Sequence, residues 1–378
     1  MKIIADDKIP YLRGVFESIC NIEYYPGNEI KAELVKDADA IIARTRTKCN
    51  ADLLKGSEVK FIATATIGFD HIDDNYCRKR GIVWKSAPGC NSSSVQQYIT
   101  SVLFTLSNKL KFDLKDKTIG VVGVGNVGKK VVRILEFLGL KTYLNDPPRM
   151  RNEGPEGFVN IDKIKKECDI ITFHTPLTMV GEDKTCHLAD KSFFDGLKPG
   201  SIVINTGRGE VVDNHALLKA LNRGILSGAV LDVWENEPHI NSDLLNKVTL
   251  ATPHIAGYSA DGKANGTMMS VQAVSRFFNL GLDNWSPENI PVPENITINI
   301  DCKEKSLHEV FKEAVMHTYS VIEDDKRLRS SVGEFEKQRA DYPLRREFPA
   351  FTVNLLNSRD NYKEKMEEIG FHCFDNKE

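Results

Sequence analysis

The sequence predicts an α/β protein with two doubly wound parallel-sheet domains, one Rossmann-type and one flavodoxin-like, followed by a C-terminal α+β domain. Three observations predict it. Short apolar runs alternate with helix-like segments from the first residues to about residue 280. One of these runs ends in GVGNVG (123–128), which opens a helical pattern. The rhythm then stops at a proline-rich stretch, NWSPENIPVPEN (284–295).

The elements follow in order. KIIAD (2–6), ADAIIAR (38–44), KFIATATIG (60–68) and GIVWKSAP (81–88) read as buried parallel strands, because their apolar residues run on without alternation. A helix is predicted from Ser92 through Val95, Tyr98, Ile99, Val102 and Leu106. A second set of strands comprises TIGVVG (118–123), LKTYLND (140–146), DIITFH (169–174), SIVINT (201–206), GAVLDV (228–233) and VTLATP (248–253). Within it, Val127, Val131, Ile134, Leu135 and Leu138 share one helix face. Asp213 is placed to cap a helix carrying Leu217, Leu218 and Leu221. Residues 259–280 read as one more helix. In the tail, Leu307, Val310, Phe311, Ala314, Val315 and Ile322 line a single amphipathic helix, and a charged stretch, DYPLRREFPAFTV (341–353), follows.

Composition bounds the function. The 378 residues are too many for one core. Apolar residues at 41% and charged residues at 27% are ordinary for a globular protein. A net charge of −3 gives no basis for binding nucleic acid or an anionic membrane, so an anionic substrate must be met by local Arg and Lys. Asp6 and Asp7 fall where a secretion signal needs apolar residues, and no apolar run is long enough to span a bilayer; a cytoplasmic location is expected. The eight cysteines are scattered with no CxxC pair, so reduced thiols and no metal site are expected.

The glycine motif points to a dinucleotide. Gly123 permits a tight turn, Gly125 lets the backbone approach a pyrophosphate, and Gly128 lets the helix pack on its strand. The helix start at Asn126 and Val127 offers free N–H groups to the anion. Asp146 ends the next strand, 18 residues past Gly128, where a carboxylate accepts hydrogen bonds from a ribose and repels a 2′-phosphate. Arg149 is the nearest base, so NAD is favoured over NADP.

Three later loops also follow strands: TGRGEVVD (206–213), VWENEP (233–238) and TPHIAGYS (252–259). They supply an Arg, one or two carboxylates and a His. His254 suits a base that takes an alcohol proton while hydride leaves. Glu237 is the choice for the carboxylate that fixes the ring tautomer, although Glu235 stands nearby. Arg208 can bind a substrate carboxylate through its planar fork.

These motifs, in this order, resemble the D-isomer-specific 2-hydroxyacid dehydrogenases. ATATIGFDHID (63–73) and SAPGCNSSSVQQY (86–98) are similar to that family as well, and the resemblance covers roughly residues 40–280. It implies an NAD-dependent dehydrogenase with Arg208, Glu237 and His254 as catalytic residues. It implies two α/β domains flanking a cleft: 1–97 with 258–285 for substrate and 98–257 for NAD, followed by a C-terminal dimerisation domain at 286–378. Thr175, Thr206, Gly207, Arg208, Asp232 and Gly257 would line the cofactor, with Asp232 at the nicotinamide carboxamide. Thr45, Thr66 and Tyr258 would contact substrate; Thr45 stands where the family pattern has Ser, with the hydroxyl kept.

Tyr258 after Gly257, NDPPR (145–149) and the DYPLRREF tail point within the family to a small phosphorylated hydroxy acid and a homodimer. Arg44 and Arg46, on one side of a strand end by alternation, are candidates for the phosphate. Arg345 and Arg346 in the tail are a second pair of candidates, placed to reach the cleft of a partner subunit. Two other readings stay open: a family member acting on a different hydroxy acid, and a non-catalytic NAD-sensing protein. The dimer is expected because the tail helix has few elements of its own to cover its apolar face.

Overall fold

Apolar runs without alternation need cover on both faces, and parallel sheets flanked by helices supply it. The computed structural model describes residues 1–359 and 361–376. It divides into two compact units, Met1–Asn91 with Ser259–Pro291 and Ser92–Tyr258 with Val292–Glu378.

The first unit is built on β1 (Lys2–Asp6), β2 (Asn21–Tyr25), β3 (Ala40–Ala43), β4 (Phe61–Thr64) and β5 (Val83–Lys85). Their order is β2-β1-β3-β4-β5, all parallel, the flavodoxin arrangement. Every residue of β3 and β4 is buried. The apolar pattern does not reveal β2, because NIEYY is a half-exposed edge strand. Helix Ala260–Phe278 packs on β4.

The second unit carries β6 (Thr118–Val122), β7 (Lys141–Asn145), β8 (Ile170–Phe173), β9 (Ser201–Asn205), β10 (Leu226–Leu231) and β11 (Leu250–Ala251). Their order is β11-β10-β9-β8-β6-β7, again all parallel. The strand order reverses at β6, so the loop after it opens at the switch point where such sheets bind ligands. Asp213 caps helix Asn214–Asn222 by accepting the Ala216 N–H.

The C-terminal segment belongs to this second unit. Its strands β12 (Thr297–Asp301), β13 (Thr352–Leu356) and β14 (His372–Asn376) form a small parallel sheet in sequence order. Helix Leu307–Thr318 starts with a capping box between Ser306 and Glu309. Its Phe311 is fully buried among Phe104, Phe137, Phe348 and Phe371. Burial of that ring contributes roughly 2–3 kcal/mol. Polar ties reinforce the packing. Arg329 donates to the Leu245 and Val248 carbonyls at 2.6 and 3.0 Å, and Asp325 accepts the Ala251 N–H at 2.8 Å.

Four expectations change. The boundary at 97/98 would cut helix Ser92–Leu110, whose first residue opens the second unit. Residues 292–378 pack on the cofactor sheet's own helices and do not stand as a separate body. The tail helix stops at Thr318, and Ile322 lies on the next helix, Val321–Ser330. The apolar face of Leu307–Thr318 is covered within its own unit, so it needs no second chain to bury it.

Candidate active site

The loop after β6 has the geometry that its glycines predict. Gly123 sits at φ +87°, and a Cβ there would lie 2.9 Å from the His174 carbonyl carbon. A Cβ on Gly128 would lie 2.1 Å from the Gly123 oxygen, so helix Asn126–Phe137 and the strand can meet only through glycine. Gly125 has open space around it, and the exposed helix start at Asn126 has no side-chain cap. Asp146 accepts the Val124 N–H at 2.8 Å and caps helix Pro147–Glu153 through the Arg149 N–H. The Arg149 guanidinium is taken up by Glu153 and the Val124 carbonyl. The base nearest the ribose position is thus neutralised, which suits NAD rather than NADP.

The residues expected along the cofactor are gathered at the ends of β8, β9 and β10. The Thr175 hydroxyl is buried with no hydrogen-bond partner among the described residues, and a cofactor atom would satisfy it. Thr206 bonds His174 Nδ1 at 2.9 Å, and His174 Nε2 meets Thr172 at 3.0 Å. Burial pushes His174 down to about 3, so its ring is neutral. Gly207 donates to Asn205 at 3.0 Å, and the Asn205 amide donates to the Arg208 carbonyl at 2.8 Å. Asp232 is fully engaged in the fold: it accepts Thr252 Oγ1, Ile255 N–H and Ala256 N–H at 2.7, 2.8 and 2.9 Å. Burial above all raises its carboxyl. Gly257 follows directly on the residues it ties.

Arg208, Glu237 and His254 line one cavity of about 260 Å³ with Gly209, Glu210, Trp234 and Asn236. Glu237 faces His254 Nδ1 at 2.8 Å, and its other oxygen accepts the Trp234 N–H at 2.9 Å. Burial raises the Glu237 carboxyl, but the hydrogen bond and charge of His254, with the Trp234 N–H and the charge of Arg339, lower it further. Glu235 is engaged elsewhere: it bonds His187 at 2.7 Å and accepts the Asn214 N–H at 2.8 Å. The choice that two nearby carboxylates left open is therefore made by Glu237. Its pairing engages His254 through Nδ1 and not through Nε2.

In the first unit, Thr66 donates to the Gly68 carbonyl at 2.8 Å and meets Thr64 at 2.7 Å. Thr45 is exposed. Arg44, Thr45 and Arg46 do not extend β3, which ends at Ala43. The Thr47 N–H bonds the Arg44 carbonyl and closes a turn, so strand alternation does not orient the two arginines. Arg44 donates to the Lys8 carbonyl at 3.2 Å. Lys263, on helix Ala260–Phe278, lies near Arg44, and the Asp6 carboxylate lies near Arg44 and Arg46. Burial first, and then the Arg44 charge, lower its ammonium. No spacing in the sequence marks it.

The tail arginines divide by role. Arg345 is 5% exposed and lies 3.8 Å from the Tyr319 ring centre. It donates to Gln97 at 2.8 Å and to the Ser94, Ile255 and Ala256 carbonyls. These bonds hold it inside its own unit, so it is not available to a partner's substrate; Arg346 gives its carbonyl to Gln97 at 3.0 Å. A different tail residue lies beside Tyr258. Arg339 lies 5.8 Å from the Tyr258 ring centre, and its charge is felt at Glu237. Tyr258 also meets Tyr342 edge-on at 5.8 Å.

Comparison with known proteins bears on these residues. The D-isomer specific 2-hydroxyacid dehydrogenase NAD binding domain matches residues 93–256, and a domain of unknown function, DUF3410, matches residues 290–370. The erythronate-4-phosphate dehydrogenase of Bacteroides thetaiotaomicron is 52% identical over 93% of this chain and 99% of its own. That of Escherichia coli is 44% identical over 93% and 94%. Among solved structures, NAD-bound 3-phosphoglycerate dehydrogenase of Entamoeba histolytica superposes with a TM-score of 0.63 at 28% identity. The match covers 76% of this chain and 99% of that one.

Proposed function

The chain belongs to the D-isomer specific 2-hydroxyacid dehydrogenase family, among its erythronate-4-phosphate dehydrogenases, and from that membership we propose that it oxidises 4-phosphoerythronate to 2-oxo-3-hydroxy-4-phosphobutanoate in pyridoxal 5′-phosphate synthesis. NAD is the cofactor. The observation that carries the chemistry is the meeting of Arg208, Glu237 and His254 at one cavity. The relatives supply the identity of the acid.

What the nicotinamide supplies when bound is an acceptor for the hydride that leaves C2. The residues of the chain do the rest. His254 Nε2 takes the C2 hydroxyl proton, and Glu237 holds the ring and balances the imidazolium charge. Arg208 binds the carboxylate and faces the carbonyl oxygen as it forms. Gly123, Gly125, Asn126, Val127 and Gly128 would cradle the pyrophosphate, and Asp146 would take the adenosine ribose. Thr175, Thr206, Gly207 and Gly257 would line the rest of the dinucleotide, with Asp232 at the carboxamide edge.

Thr45, Thr66 and Tyr258 would contact the substrate. Arg44 and Arg46 are our candidates for its phosphate, and Lys263 is a third. The depressed ammonium of Lys263 supports this: burial first and the Arg44 charge second lower it, and an arriving anion would offset both. The decisive assay is NADH formation with 4-phosphoerythronate against 3-phosphoglycerate, with His254→Ala as control. Faster turnover of 3-phosphoglycerate would replace the substrate. Absence of NADH formation with every hydroxy acid tried would leave a sensing role. Arg44→Ala and Lys263→Ala should raise KM for the phosphorylated acid more than for erythronate, and equal losses would remove the phosphate assignment.

We also propose a cytoplasmic homodimer joined through the C-terminal segment. The outer face of its sheet supports this: Thr297, Asn299, Asp301, Leu356, His372 and Phe374 are exposed on it. Phe374 is 60% exposed, unusual for so large a ring unless a second surface covers it. Light scattering at micromolar concentration should give twice the chain mass. No nucleic-acid or membrane partner is proposed, and no helix among the described residues is long and apolar enough to cross a membrane.

A further inference from the structure

β4 ends in a run of side-chain hydrogen bonds that hydride and proton transfer do not use. Thr66 Oγ1 donates to the Gly68 carbonyl at 2.8 Å. It also meets Thr64 Oγ1 at 2.7 Å, and Thr64 Oγ1 meets His71 Nε2 at 3.0 Å. Thr64 is the last residue of β4 and is buried. The next N–H, that of Ala65, is tied to the Ala43 carbonyl at the end of β3 at 3.0 Å. The run therefore sits at the carboxyl end of a parallel strand, where such sheets take ligands.

Its direction follows from the protons available. A hydroxyl has one proton to give and two lone pairs. A carbonyl only accepts, so the Thr66 proton goes to Gly68. The bond between the two threonines must then use the Thr64 proton. Thr64 has none left for His71, so the ring donates to it through Nε2–H. The bonds thus run one way, from His71 to Thr64 to Thr66 to Gly68. Thr66 is only half-buried, and its hydroxyl keeps one lone pair and no proton. It can accept one more hydrogen bond and can donate none.

We propose that Thr66 is a specificity-determining residue that accepts a hydrogen bond from the C3 hydroxyl of the substrate, with Thr64 and His71 as positioning residues that keep it an acceptor. This rests on the reading above, with 4-phosphoerythronate as the acid oxidised. Few groups of that acid can donate. Its carboxylate and phosphate oxygens are acceptors, and its C2 hydroxyl gives its proton to His254. The C3 hydroxyl is the donor that remains. It survives in the 2-oxo-3-hydroxy product, and 3-phosphoglycerate lacks it. A methylene at C3 offers Thr66 nothing, and a ketone there would set lone pair against lone pair.

The test compares 4-phosphoerythronate with its 3-deoxy analogue, 2-hydroxy-4-phosphobutanoate, in NADH formation at pH 8. The unaltered chain should favour the hydroxylated acid about three- to tenfold in kcat/KM, the worth of one neutral hydrogen bond. Thr66→Ser should keep that preference. Thr66→Val should bring the ratio close to one. Loss of the Gly68 contact would lower both acids alike, whereas loss of the acceptor lowers only one. The ¹⁵N resonances of the His71 ring at pH 7, in the protein without substrate, give a readout that needs no turnover. Burial holds His71 down to about 4, so the ring is neutral there and carries a single proton. That proton should be on Nε2. A proton on Nδ1, or a preference that survives in Thr66→Val, overturns the proposal. Equal kcat/KM for the two acids in the unaltered chain overturns the C3 assignment alone. NADH formation from neither acid overturns the substrate reading and takes the C3 assignment with it.

Discussion

His254 takes a left-handed backbone, φ +57°, and Asp232 holds it there: its carbonyl accepts the His254 N–H at 2.7 Å. The carboxylate of the same residue accepts the next two N–H groups. A non-glycine residue in that region of backbone space is strained, so the His254 ring stays aimed only while these bonds persist. Asp232→Asn turns an amide donor toward one of those N–H donors. It should cost about 2–4 kcal/mol of stability and lower kcat about 10- to 100-fold, measured by denaturant unfolding and steady-state NADH formation. An unchanged kcat would mean that the loop holds its shape without the carboxylate.

The two carboxylates of the ENEP loop should separate cleanly. Glu237→Gln loses the charge opposite His254, and kcat should fall about 100-fold or more with little change in NAD affinity. Glu235→Gln disturbs only the His187 and Asn214 contacts, and kcat should stay within a fewfold. Equal losses would show that both carboxylates serve the base.

His174 predicts an acid dependence of stability. Its folded value lies near 3, below the ordinary histidine value of about 6.5. Its contribution is complete above about 6.5 and is lost as pH falls from there toward about 3, because only the unfolded chain takes the proton. His174→Asn cannot titrate and should be less stable than the unaltered protein at pH 7. That gap should shrink by about 1 kcal/mol for each pH unit below 6.5. Urea unfolding at pH 7 and pH 5 measures it, and a constant gap would refute it.

Arg345 should behave as a brace. Arg345→Ala strands Gln97 and three backbone carbonyls in a buried site and should cost about 3 kcal/mol or more. Because two of those carbonyls belong to Ile255 and Ala256, kcat should drop with it. KM for the phosphorylated acid and for erythronate should change by the same factor. A selective rise for the phosphorylated acid would return Arg345 to phosphate binding.

Much of this was legible in the sequence, for physical reasons. β3, β4, β8 and β9 are buried along their whole length, so their apolar runs stand out. Arg208, Glu237 and His254 stand out because each follows a strand and the chemistry needs all three. The tail was less legible. β12 alternates over only five residues, with Ile298 and Ile300 buried between exposed neighbours, and its partner begins at Thr352. Arg339 and Lys263 sit on helices among other charges, where a solvated face is the ordinary reading. Only the packing of the chain shows that one lies by Tyr258 and the other by Arg44. The turn at Arg44 looks like a strand end in sequence because one backbone hydrogen bond decides it.

The small sheet and its helices are fastened to the cofactor sheet by Arg329, Asp325, Arg345 and the Phe311 cluster, whereas the peptide joining them to the rest runs through prolines with no regular structure between Phe278 and Thr297. A backbone cut in that peptide therefore need not release the end of the chain. Limited proteolysis there should give two fragments on a denaturing gel that still migrate as one particle under native conditions. Synthesis stopped near residue 290 has the opposite outcome: helix Ser92–Leu110 and Phe104 lose their cover, and the truncated chain aggregates.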